Sequence, residues 1–494
     1  MPKKDPTDPS TTSFAHDEML PYWEKISTVR AGTEAMRVAA KAYLPQHPEE
    51  GDRAYRQRLE TNVLTNMVEI TLSSLVSRPF SSPIKIGPKV PEEIQDLLED
   101  VDLMGNSLDR FARGWFDEGL SKGFSAIIVD YPKLKSAEDG ASRTMADDQK
   151  DNPRPYLVQV RTENIISIVP KITNGKEEIA SIRIREFEVV EEGFAEAVVE
   201  RIRMLTPGRV KIFEKRKNKQ NKWVWVTIED YQIGLDFVPV VFFYAHREGC
   251  GRSKPPMLDL ANLNIRHWQS TSDQISVLTV ARFPMLAVSG TTSSEKVVVG
   301  PNNLLANDDP QGRFYYVEHT GRAIASGRQE LQDLEETMAE YGATFLKKRP
   351  GGATATARAL DSAETSSNLE DMALGFQDAL NRAMVIFAEW MGLEIGDKFL
   401  IKTDVSLTDE QSAGLDALEK ARKNGDLCRR EYIAGLIAYG VLPDNFDVEK
   451  NNKELSSESE EKMKMLERET KITKPESGGP APKKSEPEDD TDED

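Results

Sequence analysis

The stretch PMLDLANLNIRHWQSTSDQISVLTVAR, residues 256–282, decides how the rest of the chain is read. Pro256 suits a first helical turn, and behind it Leu258, Ala261, Ile265, Trp268, Ser272, Ile275 and Thr279 recur at helical spacing. At about 1.5 Å per residue such a helix spans on the order of 40 Å. It is expected to stop at Phe283, because the residue before Pro284 is pushed out of the α region.

Working outward, residues 285–321 are punctuated by Gly290, Gly300-Pro301, Asp308-Asp309-Pro310 and Gly312. Between these breakers lie two short β-rich runs, Lys296 to Val299 and Phe314 to Val317, too short to bury a core alone. The insert is therefore expected to pack on something else, most simply on copies of itself. RAIASGRQELQDLEETMAEYGA, residues 322–343, reads as a second helix with Leu331, Leu334 and Met338 on one face and acids on the other. TFLKKRPGGATATAR, residues 344–358, carries a proline and two adjacent glycines, cannot continue that helix and reads as a mobile loop. A third helix follows, with Leu369, Met372, Phe376, Leu380, Ala383, Phe387 and Met391 spaced by three and four. An enzyme rarely needs this layout; a ring built around something threaded through it does.

At this point the residues carry a resemblance. Helix, small insert, antiparallel helix, flexible loop and long amphipathic helix is the order found in portal proteins of tailed bacteriophages, the head-to-tail connectors. The local wording is similar too: YLPQHPEE (43–50), SLDRFARGWFDEGLSKGFSAIIVDYP (107–132), RPYLVQVRTENII (154–166), YYVEHTGRAIASGRQELQDLEETMAEYGA (315–343) and TATARALDSAETSSNLEDMA (354–373). The likeness covers about residues 17–445, and its strength lies in the collinear order of many weak motifs.

The resemblance implies an α+β portal fold: an α/β wing over residues 17–255, stem helices at 256–282 and 322–343, a clip at 283–321, a tunnel loop at 344–358, a long wing helix at 359–393, and the wing return with a mostly helical crown at 394–450. It implies a ring, expected to hold twelve subunits, at one capsid vertex of the virion and assembled in the host cytoplasm. Double-stranded DNA passes through that ring without sequence specificity. The partners implied are the terminase large subunit, a head-tail adaptor, and the major capsid and scaffolding proteins. Carried onto this sequence, Leu258, Ile265, Trp268 and Ile275 would pack the stem. Asp308, Asp309, Arg313, Phe314 and Tyr315 would present the clip to terminase and adaptor. Lys347, Lys348, Arg349 and Arg358 would line the channel in the tunnel loop. An alternative for the three consecutive cations is that they complement the C-terminal dipole of the second stem helix.

Composition limits the alternatives. With 494 residues and 38% hydrophobic content the chain can bury a sizeable core in two or more lobes. No apolar stretch approaches the ~20 residues a membrane helix needs, and MPKKDPTDPSTTS reads neither as a signal peptide nor as an anchor, so a soluble, cytoplasmically made protein is expected. Cys250 and Cys428 have no CxxC partner and are expected to be reduced thiols. A net charge of −19 argues against a conventional duplex binder, whose affinity comes from Lys and Arg on phosphates. It fits a conduit whose like-charged wall keeps DNA from sticking, and equally a large protein kept soluble by its acidity.

The remaining blocks are read locally. Residues 1–16 are polar and expected to be disordered. Asp17 to Leu120 is mainly helical, with an amphipathic stretch from Tyr55 to Leu75. Ala126 to Val129 is an apolar strand, and Phe187 to Glu229 is a strand meander containing the basic tip KRKNKQNK, residues 215–222, read as a solvated hairpin turn. Residues 136–153 form a surface linker, 398–407 a strand, and 409–439 two short helices. The acidic tail from 451 to 494 is expected to be mostly disordered.

Catalytic signatures are absent from the sequence: no phosphate loop of the GxxxxGK[ST] type, no HExxH, no GxSxG and no GxGxxG. No two of His16, His47, His246, His267 and His319 stand four apart, so no helical metal site is expected, and no cofactor. His267 reads as a packed or interface residue, and Glu335, Glu336 and Glu340 as a solvated or lumen-facing helical face rather than an acid/base or magnesium cluster. The chain is expected not to be an enzyme. The competing classes are another head-tail connector or adaptor, and a metal-dependent DNA-processing enzyme using Asp130, Glu163 or Glu335.

Overall fold

A computed structural model describes residues 4–132, 153–282, 285–289, 311–317, 322–346 and 367–403, with a few positions between 418 and 432. The first compact unit ends at Ser406. It is α+β.

The N-terminal third is helical. Helix α1 (Phe14–Arg30) is capped by Ser13, whose hydroxyl accepts from His16 N, and it buries His16, Met19, Trp23, Ile26 and Val29 at spacings of three and four. Then come α2 (Thr33–Ala39), α3 (Asp52–Thr61), α4 (Met67–Ser77), the two-residue strand β1 (Lys85–Ile86), the single turn α5 (Glu92–Gln95) and α6 (Leu108–Lys122). Helix α6 ends at Gly123, φ 90°, where a Cβ would lie 2.8 Å from the Ser253 carbonyl oxygen; the left-handed turn and the close approach both require glycine.

Strands β2 (Phe124–Asp130), β3 (Tyr156–Val160) and β9 (Val240–Tyr244) form a three-stranded antiparallel sheet in the order β3-β2-β9. A longer meander runs β4 (Ile165–Thr173), β5 (Lys176–Glu192), β6 (Ala195–Thr206), β7 (Arg209–Lys217) and β8 (Trp223–Gln232), each paired to the next. Strand β2 reads FSAIIVD because both its faces are buried. Phe124, Ala126 and Ile128 join Ile165, Ile182, Ile184, Leu205, Val210 and Ile212 of the meander in one core. Ile127 and Val129 turn the other way, into a larger core with Leu120, Trp115 and Phe376. The order is meander, small sheet, helices.

Small strands β10 (Arg247–Gly249) and β11 (Arg252–Ser253) lead into helix α7 (Leu258–Ala281). Strands β12 (Met285–Ser289) and β13 (Arg313–Val317) pair antiparallel, Met285 opposite Val317 and Ser289 opposite Arg313. Helix α8 (Arg322–Thr344) follows, and then α9 (Asn368–Trp390), opened by a capping box between Ser367 and Glu370. Phe376 of α9 meets the rings of Phe80, Trp115, Phe116 and Phe243. Asn381 closes strand β14 (Phe399–Leu400) on α9, its amide donating to Phe399 O at 2.9 Å and accepting from Phe399 N at 2.8 Å.

Four expectations are revised. Residues 4–13 are fixed rather than disordered: Ser13 N donates to Ile166 O, and Arg183 reaches Pro9 O at 2.8 Å. The stretch from Tyr55 to Leu75 is two helices, because Asn62 turns extended and Asn66 caps α4 by accepting from Glu69 N. The meander starts at Ile165, well before Phe187. The partner of the Phe314 to Val317 run is β12, a strand not expected from the sequence. The 296–299 run, the linker core 133–152, residues 347–366, most of the crown segment and the acidic tail lie outside the described residues.

Candidate functional site

The pair α7 and α8, with the hairpin β12–β13 between them, is the candidate site. Its base is built by α7 spending polar side chains on the N-terminal helices. Asn264 accepts from Val68 N at 3.2 Å and donates to Thr65 O at 2.8 Å. Asn62 donates to Trp268 O at 2.8 Å, and Gln269 to Tyr43 O at 2.9 Å. The buried guanidinium of Arg58 binds Ser272 Oγ at 3.2 Å, Pro45 O at 2.8 Å and both oxygens of Glu50. That bidentate bond, above all, holds the Glu50 carboxyl below its ordinary pKa. A buried polar atom costs energy unless bonded, so this many satisfied partners fix α7 in one register against the base.

Beyond Asp273, which faces His47 at 3.1 Å, the described side-chain bonds of α7 run only within the helix or to α8. The two helices are joined by His267 Nε2 with Glu335 at 3.1 Å, Arg266 with Glu330 at 3.2 Å, and Gln274 donating to Ile324 O at 3.0 Å. Gly327 sits beneath Gln274: a Cβ there would fall 2.1 Å from its amide oxygen. Leu334 and Met338 are buried, and Tyr341 closes the base of α8 by donating to Pro256 O at 3.0 Å. Burial raises the Tyr341 phenol to about 12, so it stays a neutral donor. Glu330, Asp333, Glu335, Glu336 and Glu340 remain exposed along α8.

The expected stem residues divide. Trp268 is fully buried in the chain's own core. Leu258 and Ile265 are half-buried against that core, while Ile275 is half-buried on the distal part of α7 and joins neither core cluster. Of the expected clip residues, Arg313 is exposed with its N donating to Ser289 Oγ at 3.3 Å, Phe314 is half-buried and Tyr315 is exposed. Asp308 and Asp309, like Lys347, Lys348, Arg349 and Arg358, lie outside the described residues. The first residues of the segment expected to be a mobile loop are not loop-like: Thr344 ends α8, Phe345 and Leu346 are buried, and Leu369 N donates to Phe345 O at 3.1 Å.

The carboxylates considered for catalysis sit in different places. Asp130 takes bonds from Arg203 at 2.7 Å and the Tyr156 hydroxyl at 3.2 Å, at the meander. Glu163 takes Ser27 and the buried ammonium of Lys122, which also donates to Trp23 O; these bonds depress its pKa against the opposing effect of burial. Glu118 beside them is raised by burial first and by the charge of Glu163 second. Sequence reading missed this Lys122 junction, and no spacing rule would have found it, since it joins α1, α6 and the 162–164 turn. Among the described residues no three His, Cys, Asp or Glu side chains are placed to hold a metal ion. No helix there is long and apolar enough to cross a membrane.

A family described as Domain of unknown function (DUF4055) matches residues 256–391, which span α7, the hairpin, α8 and α9. No curated protein matches the chain. Among solved structures, similar chains come from gene transfer agent particles. One, from the virion of a native gene transfer agent particle, is 12% identical with a TM-score of 0.35 and covers 82% of this chain and 98% of that one. Another, from the neck of a native particle of that kind computed with C12 symmetry, is 12% identical with a TM-score of 0.32 and covers 82% and 99%.

Proposed function

We propose that this chain is a portal subunit: a ring former, expected as a dodecamer, that conducts double-stranded DNA into and out of a virion and docks the packaging terminase and later a head-tail adaptor. The observation that carries the reading is the antiparallel pair α7–α8. It is anchored at one end by Arg58, Asn62 and Asn264, and carries at the other a pair of five-residue antiparallel strands that is marginal on its own. Such a rod and tip find their remaining contacts in neighbours, and the exposed acids of α8 would then face a channel that repels duplex and lets it slide.

In this reading Arg313, Phe314 and Tyr315, with Asp308 and Asp309, meet terminase and adaptor. The 344–358 loop brings Lys347, Lys348, Arg349 and Arg358 toward passing phosphates, and the meander and helical base meet capsid and scaffolding protein. The energy for pumping comes from the terminase. Purified protein tested by native mass spectrometry and by metal-supplemented nuclease and nucleotide-hydrolysis assays decides between classes: a closed oligomer without activity supports the proposal, and metal-stimulated activity of the isolated chain overturns it.

A further inference from the structure

Two cavities adjoin at Ser82 and Pro83, beside α6 and α9. One, of about 710 Å³, has Arg110 and Arg113 of α6 in its wall; the other, of about 440 Å³, has Lys85 of β1 and Lys402 just past β14. Together they make a groove of a size that holds ligands. Its walls are tied to one another. Asp109 of α6 accepts from Ile84 N at 2.7 Å, Ile401 N donates to Gln377 Oε1 of α9 at 3.1 Å, and Lys402 N donates to Pro79 O at 3.3 Å. The pairing of β1 with β14 sets Lys85 opposite Leu400, so a cation and an apolar side chain share one face.

All four cations are exposed, and among the described residues none of their side chains has a hydrogen bond or an ion pair. The one carboxylate among the described lining residues is Asp109, which is engaged by Ile84 N. Asp117, which feels the charge of Arg113, is already held by Arg30 through bonds of 2.9 and 3.3 Å. The groove is therefore locally basic on a chain of net charge −19. Its floor is apolar: Phe80, Pro83 and Leu400 line it, and Leu400 is 43% exposed. The Phe80 ring packs edge-on against Phe116 and Phe376, so it is no free platform for stacking a base.

We propose that this groove binds an acidic peptide segment of another protein, an extended stretch in which Asp and Glu side chains flank an apolar one. Arg110 and Arg113 stand three positions apart on α6 and share a face, and each guanidinium fork matches a carboxylate. Lys85 and Lys402 neutralise further acids in the adjoining cavity, and the apolar residue settles against Pro83 and Leu400. A phosphodiester backbone would meet the cations but leave the apolar floor unused. The inference goes beyond the portal reading and holds whatever the oligomeric state of the chain.

The test is fluorescence anisotropy on the full chain with a short labelled peptide of Asp and Glu around a central Leu. The same peptide with Asn and Gln in place of its acids, and a labelled DNA duplex, are measured beside it. The acidic peptide should bind and its amide counterpart should not. Arg110→Glu with Arg113→Glu and, separately, Lys85→Glu with Lys402→Glu should each weaken binding about ten-fold at low salt. Lys171→Glu with Lys176→Glu, the same charge change at exposed positions on the meander, should leave binding unchanged. All three variants should melt with the wild type, because the side chains replaced are exposed and unbonded. Four results would each overturn the proposal: no binding of the acidic peptide to the wild type, equal binding of the amide peptide, equal loss in the meander variant, or undiminished binding in both groove variants. A duplex that displaces the peptide and is itself lost in the groove variants would overturn it too, and would make the groove a phosphate site.

Discussion

His267 of α7 and Glu335 of α8 lie 3.1 Å apart, one of the polar bonds that join these two antiparallel helices beside the buried base. The imidazole is buried and the carboxylate half exposed, so water competes for only one partner. In a double-mutant cycle with His267→Ala and Glu335→Ala the coupling should be about 0.2–1 kcal/mol, the range of exposed ion pairs. Coupling near zero would mean that this pair does not help to align the helices.

Trp268, the next residue, carries more. It is wholly buried among the core residues that include Met338 of α8, and Trp268→Ala should cost about 3–5 kcal/mol through lost burial and a residual cavity. Urea unfolding followed by intrinsic fluorescence measures it. A loss below about 1 kcal/mol would contradict the packing described.

The Arg58–Glu50 bond makes stability acid-sensitive. Because Arg58 holds the folded carboxyl below its ordinary value, the unfolded chain takes up the proton first. The stabilisation is therefore complete above about pH 5 and is lost as pH falls through the depressed folded value. Glu50→Gln should lower the melting temperature at pH 7 and flatten its dependence between pH 5 and 3; parallel curves for variant and wild type would refute the linkage.

Legibility in the sequence differs by element. Helices α7, α8 and α9 were readable because each carries a long 3.6-residue apolar period: Leu334 and Met338 are buried on α8, and Met372, Phe376, Leu380, Ala383 and Phe387 on α9, as their spacing requires. The stem set was only partly legible: Trp268 is buried inside its own chain, so spacing marked a buried face without saying whose. Strand β12 was missed because MLAVS is five residues of weak β character whose identity comes from pairing with β13, a non-local fact. The Asn62–Trp268 and Lys122–Glu163 junctions span 206 and 41 residues and leave no periodic trace. Residues 4–13 read as disordered by composition, yet the Ser13 N bond to Ile166 O and the Arg183 side chain on Pro9 O tie them to the meander, which polarity cannot report.

For the loop, replacing Lys347, Lys348 and Arg349 by Ala should leave assembly and thermal stability almost unchanged while impairing DNA packaging or retention, more at low salt than at high salt. Lower ring stability with normal packaging per particle would instead assign these cations to the C-terminal dipole of α8. Filled-particle counts and melting curves on the same samples separate the outcomes.

At the hairpin, Arg313→Glu with Tyr315→Ala should weaken terminase binding and leave the oligomer intact, since both side chains are exposed and neither belongs to a core cluster. Binding measured by surface plasmon resonance on immobilised oligomer checks this. Unchanged binding would move the docking surface off the hairpin.

Electron-microscope imaging of the purified full chain at micromolar concentration, with class averages sorted by rotational symmetry, tests whether the chain is a portal subunit. A portal subunit should give closed rings with a central pore, expected to be twelve-fold, in which the α7–α8 rods run along the channel and the β12–β13 hairpins gather at one end. A folded monomer with no rings even when scaffolding protein is added, or rings whose rods lie away from the pore, would contradict it.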